Sequence, residues 1–240
     1  MQTAYCPLAA AAMRKEPSHR AEMVNQLLFG DGMWVTGREE GWVKVRLLFD
    51  NYEGWVDEKQ VCFSQEWPEH DAVATKPTKI FFDGMPMTIQ PGSYYNTRWL
   101  PKPVAGKKNN SAKSPVAVAM QYLGAPYLWG GRTLMGIDCS GLSQVTYKIC
   151  GHPLLRDASM QALQEGMQDV SNIAEKRAGD LAFFRNDDGK IVHVGIVMDD
   201  DKIIHASGKV RIDSLDAEGI INSDTGEYSH KLALIRRARG

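Results

Sequence analysis

The chain has 240 residues, 43% hydrophobic and 24% charged, so its length and composition suit a soluble globular protein with a buried core. A formal net charge of −1 excludes a global field that would draw it to nucleic acid or an anionic bilayer. No apolar run approaches the roughly 20 residues of a bilayer span, so neither a nucleic-acid partner nor a membrane span is expected.

The first twelve residues, ending in the alanine run 9–12, lack the basic start and the apolar stretch of about 7–15 residues of a secretory signal. A cytoplasmic protein fits, and so does an exported domain whose leader has been removed. Residues 33–36, 42–46 and 54–56 are short β-branched or aromatic runs separated by Gly, Asp and Asn turns, and they predict a small β-barrel over 5–62. Residues 80–82 and 87–89 predict a second, less regular β segment whose strands are kept short by Pro77, Pro86, Pro91 and Pro101. The run from Pro101 to Lys113 is rich in Pro, Gly, Lys and Asn and reads as a linker. The expected layout is a front β domain over 1–65, a second β segment over 66–105, a linker over 106–113 and a back domain over 114–240.

In the back domain Ser114 and Pro115 suit the start of a helix that Gly124 can end. A second helix is expected from Cys139, with Leu142, Val145 and Ile149 on one face, and a third over 159–167. Residues 180–184, 191–198 and 202–206 read as strands. Helices followed by an antiparallel sheet make an α+β domain. The cysteines, Cys6, Cys62, Cys139 and Cys150, have no zinc-knuckle or redox spacing. Cys6 and Cys62 read first as buried thiols, a pairing between them staying open, and Cys150 as core.

The segment Asp138-Cys139-Ser140-Gly141 carries the chemistry. A cysteine in the first turn of a helix faces free N–H groups and the positive dipole end, and both favour thiolate. Ser140 and Gly141 leave room for a carbonyl whose oxyanion backbone N–H groups could hold. His193 lies in an otherwise apolar strand and needs a partner; a thiolate is one. His205 follows across the turn 199–202. An even-length turn would put the two imidazoles on opposite faces, and an odd one on the same face, where His205 could orient His193.

Residues 124–131 (GAPYLWGG), 138–141 (DCSG), 178–184 (AGDLAFF), 193–196 (HVGI) and 204–208 (IHASG) occur in the order and spacing of the NlpC-type papain-like cysteine peptidases, which the whole back domain resembles. Residues 21–30 and 52–56 resemble the bacterial SH3-like domains fused to one branch of that family. The resemblance implies Cys139 as nucleophile, His193 as base and His205 as orienting residue, with no metal and no organic cofactor.

That branch comprises γ-D-glutamyl-L-diamino-acid endopeptidases of peptide recycling. They cleave stem peptides with a free N-terminal L-Ala and release L-Ala-D-Glu. An SH3-like domain there closes one end of the cleft. The resemblance therefore implies peptidoglycan-derived peptides as partners; a monomer is the expectation for oligomeric state. It assigns Asp157 and Glu22 to the substrate ammonium, with Tyr52, Tyr127, Trp129, Asp138 and Ser140 also at the substrate. A buried ammonium needs such a counter-charge. Two rival expectations are a hydrolase of intact peptidoglycan with a wall-binding SH3-like part, and a non-catalytic peptidoglycan-binding protein. The second β segment departs from a standard SH3-like repeat.

Overall fold

A computed structural model describes residues 2–65, 69–101 and 114–238. The linker expected at 106–113 lies outside them. The chain forms two compact units, one of Met1–Ser111 with Trp129–Leu134, the other of Ala112–Leu128 with Met135–Gly240.

The first unit is built on a seven-stranded antiparallel sheet. The expected strands are present as Gly32–Glu39, Trp42–Leu47 and Glu53–Asp57. The alanine run enters the strand Ala10–Arg14, its small side chains alternating between Ala11 in the core and half-buried neighbours. Met13, Leu27, Met33, Val43, Val45 and Val56 fill the interior. Beyond it, Thr78–Phe82 and Met85–Ile89 pair across an Asp83-Gly84 turn with positive φ at both residues. Phe29, Ala74, Ile80 and Ile89 form a second small core there. Arg132 is anchored in this unit, its buried guanidinium 3.0 Å from Asp31 and 2.9 Å from the Gln26 carbonyl.

The second unit begins with the short helix α1, Pro115–Ala119. Then come α2, Cys139–Ile149, and α3, Ala158–Leu163. The third helix is shorter than expected, because the chain turns extended at Gln164 and becomes the strand Met167–Asp169. Leu181–Arg185, Ile191–Val197, Lys202–Ser207, Lys209–Leu215 and Gly219–Ile221 follow as an antiparallel meander. The long last strand, Tyr228–Ala238, pairs with both Leu181–Arg185 and Gly219–Ile221. The antiparallel sheet expected after the helices is thus present, and it closes into a six-stranded barrel. Ala182, Phe184, Val197, Ile203, Leu215, Ile220 and Ile235 cluster on its inner face. All four cysteines are free; Cys150 is the half-buried C-cap of α2 rather than core.

Candidate active site

Helix α2 starts at Cys139 because Asp138 caps it: the residue is extended (φ −94°, ψ 176°) and its Oδ1 accepts the Gly141 N–H at 2.6 Å. Buried Arg156 clamps the same carboxylate, with Nη2 2.6 Å from Oδ2 and Nη1 3.0 Å from Oδ1. Arg156 Nη1 also donates to Ser140 Oγ at 2.8 Å, and Gln161 Nε2 donates to the Ser140 carbonyl at 3.0 Å. The charge of Asp138 is thus matched inside the protein, and a closed network fixes the turn that presents the thiol.

Cys139 is 7% exposed. Burial, and after it the Asp138 charge, push its pKa up to about 12, against the backbone hydrogen bonds of Val194 and Ser140 and the Arg156 charge. The thiolate expected from the helix dipole is therefore overridden: the resting group is a neutral thiol, because desolvation opposes its charged form more than the helix end favours it.

Cys139 meets the sheet at Val194, beside His193. Gly195 stands opposite His205 and Val197 opposite Ile203, which leaves 198–202, an odd number of residues, in the loop. His193 and His205 consequently share the face that the inner cluster lines, where neither imidazole can stay unpaired. His193 Nε2 and His205 Nδ1 are 2.8 Å apart. The space beside them depends on Gly195, where a Cβ would stand 2.6 Å from Ile203 Cδ1 and 3.0 Å from His205 Cβ.

The next hairpin adds a residue the sequence reading missed. Asp213 is opposite Ile203, two positions from His205 on the same face, and its Oδ2 is 3.0 Å from His205 Nε2. Burial alone would raise its pKa, but hydrogen bonds from His205, from the side chain and backbone of Ser223 and from Arg211 hold the carboxyl far below the usual range. A carboxylate cannot donate, so His205 carries its proton on Nε2 and leaves Nδ1 bare. His193 must then carry its proton on Nε2, which leaves Nδ1 with its lone pair. Burial first, then the neighbouring imidazoles His205 and His230, hold the His193 pKa well below its ordinary value, so the ring is neutral.

His230, also unforeseen, stacks on His193 with ring centres 4.1 Å apart. A cleft of about 340 Å³ opens over these rings, lined by Tyr127, His193, Ser207, Gly208 and His230 among others. Burial, followed by the nearby Cys139 and Asp138 side chains, pushes the Tyr127 phenol up to about 12, so the hydroxyl keeps its proton.

Both units resemble known proteins. Residues 124–227 match the NlpC/P60 family model, and residues 13–61 match the model of the bacterial dipeptidyl-peptidase SH3 domain. The second unit is an NlpC/P60 domain and the chain a cysteine peptidase. The chain is 28% identical to the gamma-D-glutamyl-L-lysine dipeptidyl-peptidase of Bacillus cereus over 85% of its own length and 74% of the relative's. It is 25% identical to dipeptidyl-peptidase 6 of Lysinibacillus sphaericus over 87% and 90%. A solved NlpC/P60 family protein from Bacillus cereus shares the fold with a TM-score of 0.78 at 20% identity, covering 98% of this chain and 99% of that one.

Within the NlpC/P60 domain, Asp157 takes the N-cap position of α3, yet its side chain makes no cap hydrogen bond to that helix. Ser140 and Asp138 are tied to Arg156, as above. The remaining expected substrate residues belong to the first unit. Trp129 is exposed there and donates from Nε1 to Glu22 Oε1 at 2.8 Å, while Tyr52 packs half-buried against the SH3 core. Among the described residues no helix is long and apolar enough to cross a membrane.

Proposed function

We propose that this protein hydrolyses the γ-D-Glu–L-diamino-acid bond of peptidoglycan stem peptides with a free N-terminal L-Ala and releases L-Ala-D-Glu. The chain from His193 through His205 to Asp213 carries the catalytic half of the reading. By fixing both tautomers it leaves His193 Nδ1 as the ring's bare nitrogen. Relatives named as dipeptidyl-peptidases support the substrate half, since release of an N-terminal dipeptide requires a free amine to be recognised.

Thiol and imidazole begin neutral. His193 Nδ1 takes the Cys139 proton as the sulfur attacks the γ-carbonyl, so charge appears only as the tetrahedral intermediate forms. Its oxyanion is held by the first N–H groups of α2, with the Tyr127 hydroxyl as an added donor. The His193 imidazolium keeps its Nε2 proton on His205, which Asp213 polarises. Nδ1 then protonates the departing amine, and water hydrolyses the thioester by the same base.

Asp157 is assigned to the substrate ammonium through the family resemblance, whereas Asp138 is matched by Arg156. Glu22 and Tyr52 are assigned to the substrate through the family resemblance. Mass-spectrometric hydrolysis of L-Ala-γ-D-Glu-L-Lys and its diaminopimelate analogue, each beside its N-acetylated form, tests the reading. Cleavage of the free-amine peptides alone is expected. Equal cleavage of both forms would remove the ammonium pocket and point to intact wall as substrate.

A further inference from the structure

The function proposed above uses two of the three histidines at this end of the barrel. His193, His205 and His230 bring three ring nitrogens within 4.8 Å of one another. Around a tetrahedral ion about 2.0–2.1 Å from each nitrogen, three imidazole ring centres stand about 5 Å apart. The observed separations are 5.0 Å for His193–His205, 5.6 Å for His205–His230 and 4.1 Å for His193–His230. The last must open by about 1 Å as His230 tilts out of its stack, and the ion must replace the hydrogen bond between His193 Nε2 and His205 Nδ1.

Two of the three nitrogens carry lone pairs. Ser229 Oγ donates to the Ile220 carbonyl, so at 2.9 Å it accepts from His230 Nδ1–H, which leaves Nε2 of His230 bare. Nδ1 of His205 is bare because Asp213 holds the proton on Nε2. An imidazole backed by a buried carboxylate is the outer-shell arrangement that orients histidine ligands and raises their basicity. The cleft above leaves room for a fourth ligand.

The geometry points to a regulatory site for a divalent cation of the zinc class, formed by His193, His205 and His230, that switches the peptidase off. The ion takes His205 Nδ1, His230 Nε2 and His193 Nε2. The proton on His193 Nε2 moves to Nδ1 of the same ring, so none is released. His193 then presents an N–H instead of a lone pair to the thiol and cannot act as base. Binding depends only on the cluster; the inhibition also rests on the role proposed for His193.

Zinc calorimetry on the full chain carrying Cys139→Ala removes the thiol as a ligand and needs no activity. One zinc ion per chain is expected. Adding His230→Phe, or His230→Gln as a second form, should weaken binding at least tenfold, with folding checked by circular dichroism. No zinc binding, or affinity unchanged by both His230 substitutions, would overturn the site. In the parent enzyme zinc should inhibit reversibly, with a chelator restoring activity, and His230→Phe should need at least tenfold more zinc. Stoichiometric binding without inhibition would keep the site and refute the tautomer switch.

Discussion

Asp213→Asn tests the proton chain at a residue that never touches substrate. Oδ1 of Asp213 accepts the Ser223 backbone N–H at 2.9 Å and the Ser223 hydroxyl at 2.6 Å, while Oδ2 faces His205 Nε2 at 3.0 Å. A backbone N–H can only donate, so the asparagine oxygen takes the Oδ1 place and its NH2 faces His205. That imidazole must then accept on Nε2 and donate from Nδ1, and His193 is left with its proton on Nδ1. Keeping the productive tautomer instead would leave a buried donor unpaired, at about 1–3 kcal/mol. That penalty corresponds to about 5–150-fold in rate. A wrong tautomer held fully in place costs about 10⁴ in a Ser-His-Asp triad, which sets the upper end. We therefore expect kcat about 10–100-fold lower with KM little changed. Turnover of the free-amine tripeptide gives the rate, and ¹⁵N spectra of the histidine rings give the tautomers. A kcat within twofold of the parent, in a folded variant whose His193 proton has moved to Nδ1, would refute the reasoning.

Gly195→Ala would drive a methyl into Ile203 and His205; we expect about 1–3 kcal/mol of destabilisation in urea melts and at least tenfold lower kcat. A variant of unchanged rate would show that His205 can shift freely. With its pKa near 12, Cys139 should be alkylated by iodoacetamide slowly at pH 7, about tenfold faster per pH unit up to pH 9. Site-resolved mass spectrometry reads this, and fast alkylation independent of pH from 5 to 9 would indicate a resting thiolate–imidazolium pair instead. Arg156→Met strands the buried Asp138 carboxylate and should cost about 3–5 kcal/mol by chemical denaturation. A loss under about 1 kcal/mol would mean that the pair behaves as a solvated one.

The helix beginning at Cys139 and the strands bearing His193 and His205 were legible because capping, apolar spacing and β-branched runs are local signals. Whether the two histidines shared a face was legible only as a parity question, since the register is set by pairing across the sheet. Asp213 and His230 were hidden for a related reason. Asp213 lies in a mixed run, Arg211-Ile212-Asp213, that alternates as any half-exposed strand would, and His230 reaches the cluster only when the last strand closes the barrel. Arg156 could have been suspected as the partner of Asp138, but nothing local says that an arginine eighteen positions on returns to cap the same carboxylate. The thiol's state depends on burial, which no spacing reports.

The loop at 198–202 has a consequence for how this hairpin can change. Because side chains alternate along a strand, a single residue gained or lost there, with the strand pairing otherwise kept, would turn His205 to the opposite face. Two residues gained together would leave it in place. The same arithmetic governs Gly208, the lone residue between paired Ser207 and Lys209, which sets where Asp213 falls. Length variation tolerated at these two turns is therefore counted in steps of two, and the hairpins act as gauges for the proton path as well as connections between strands.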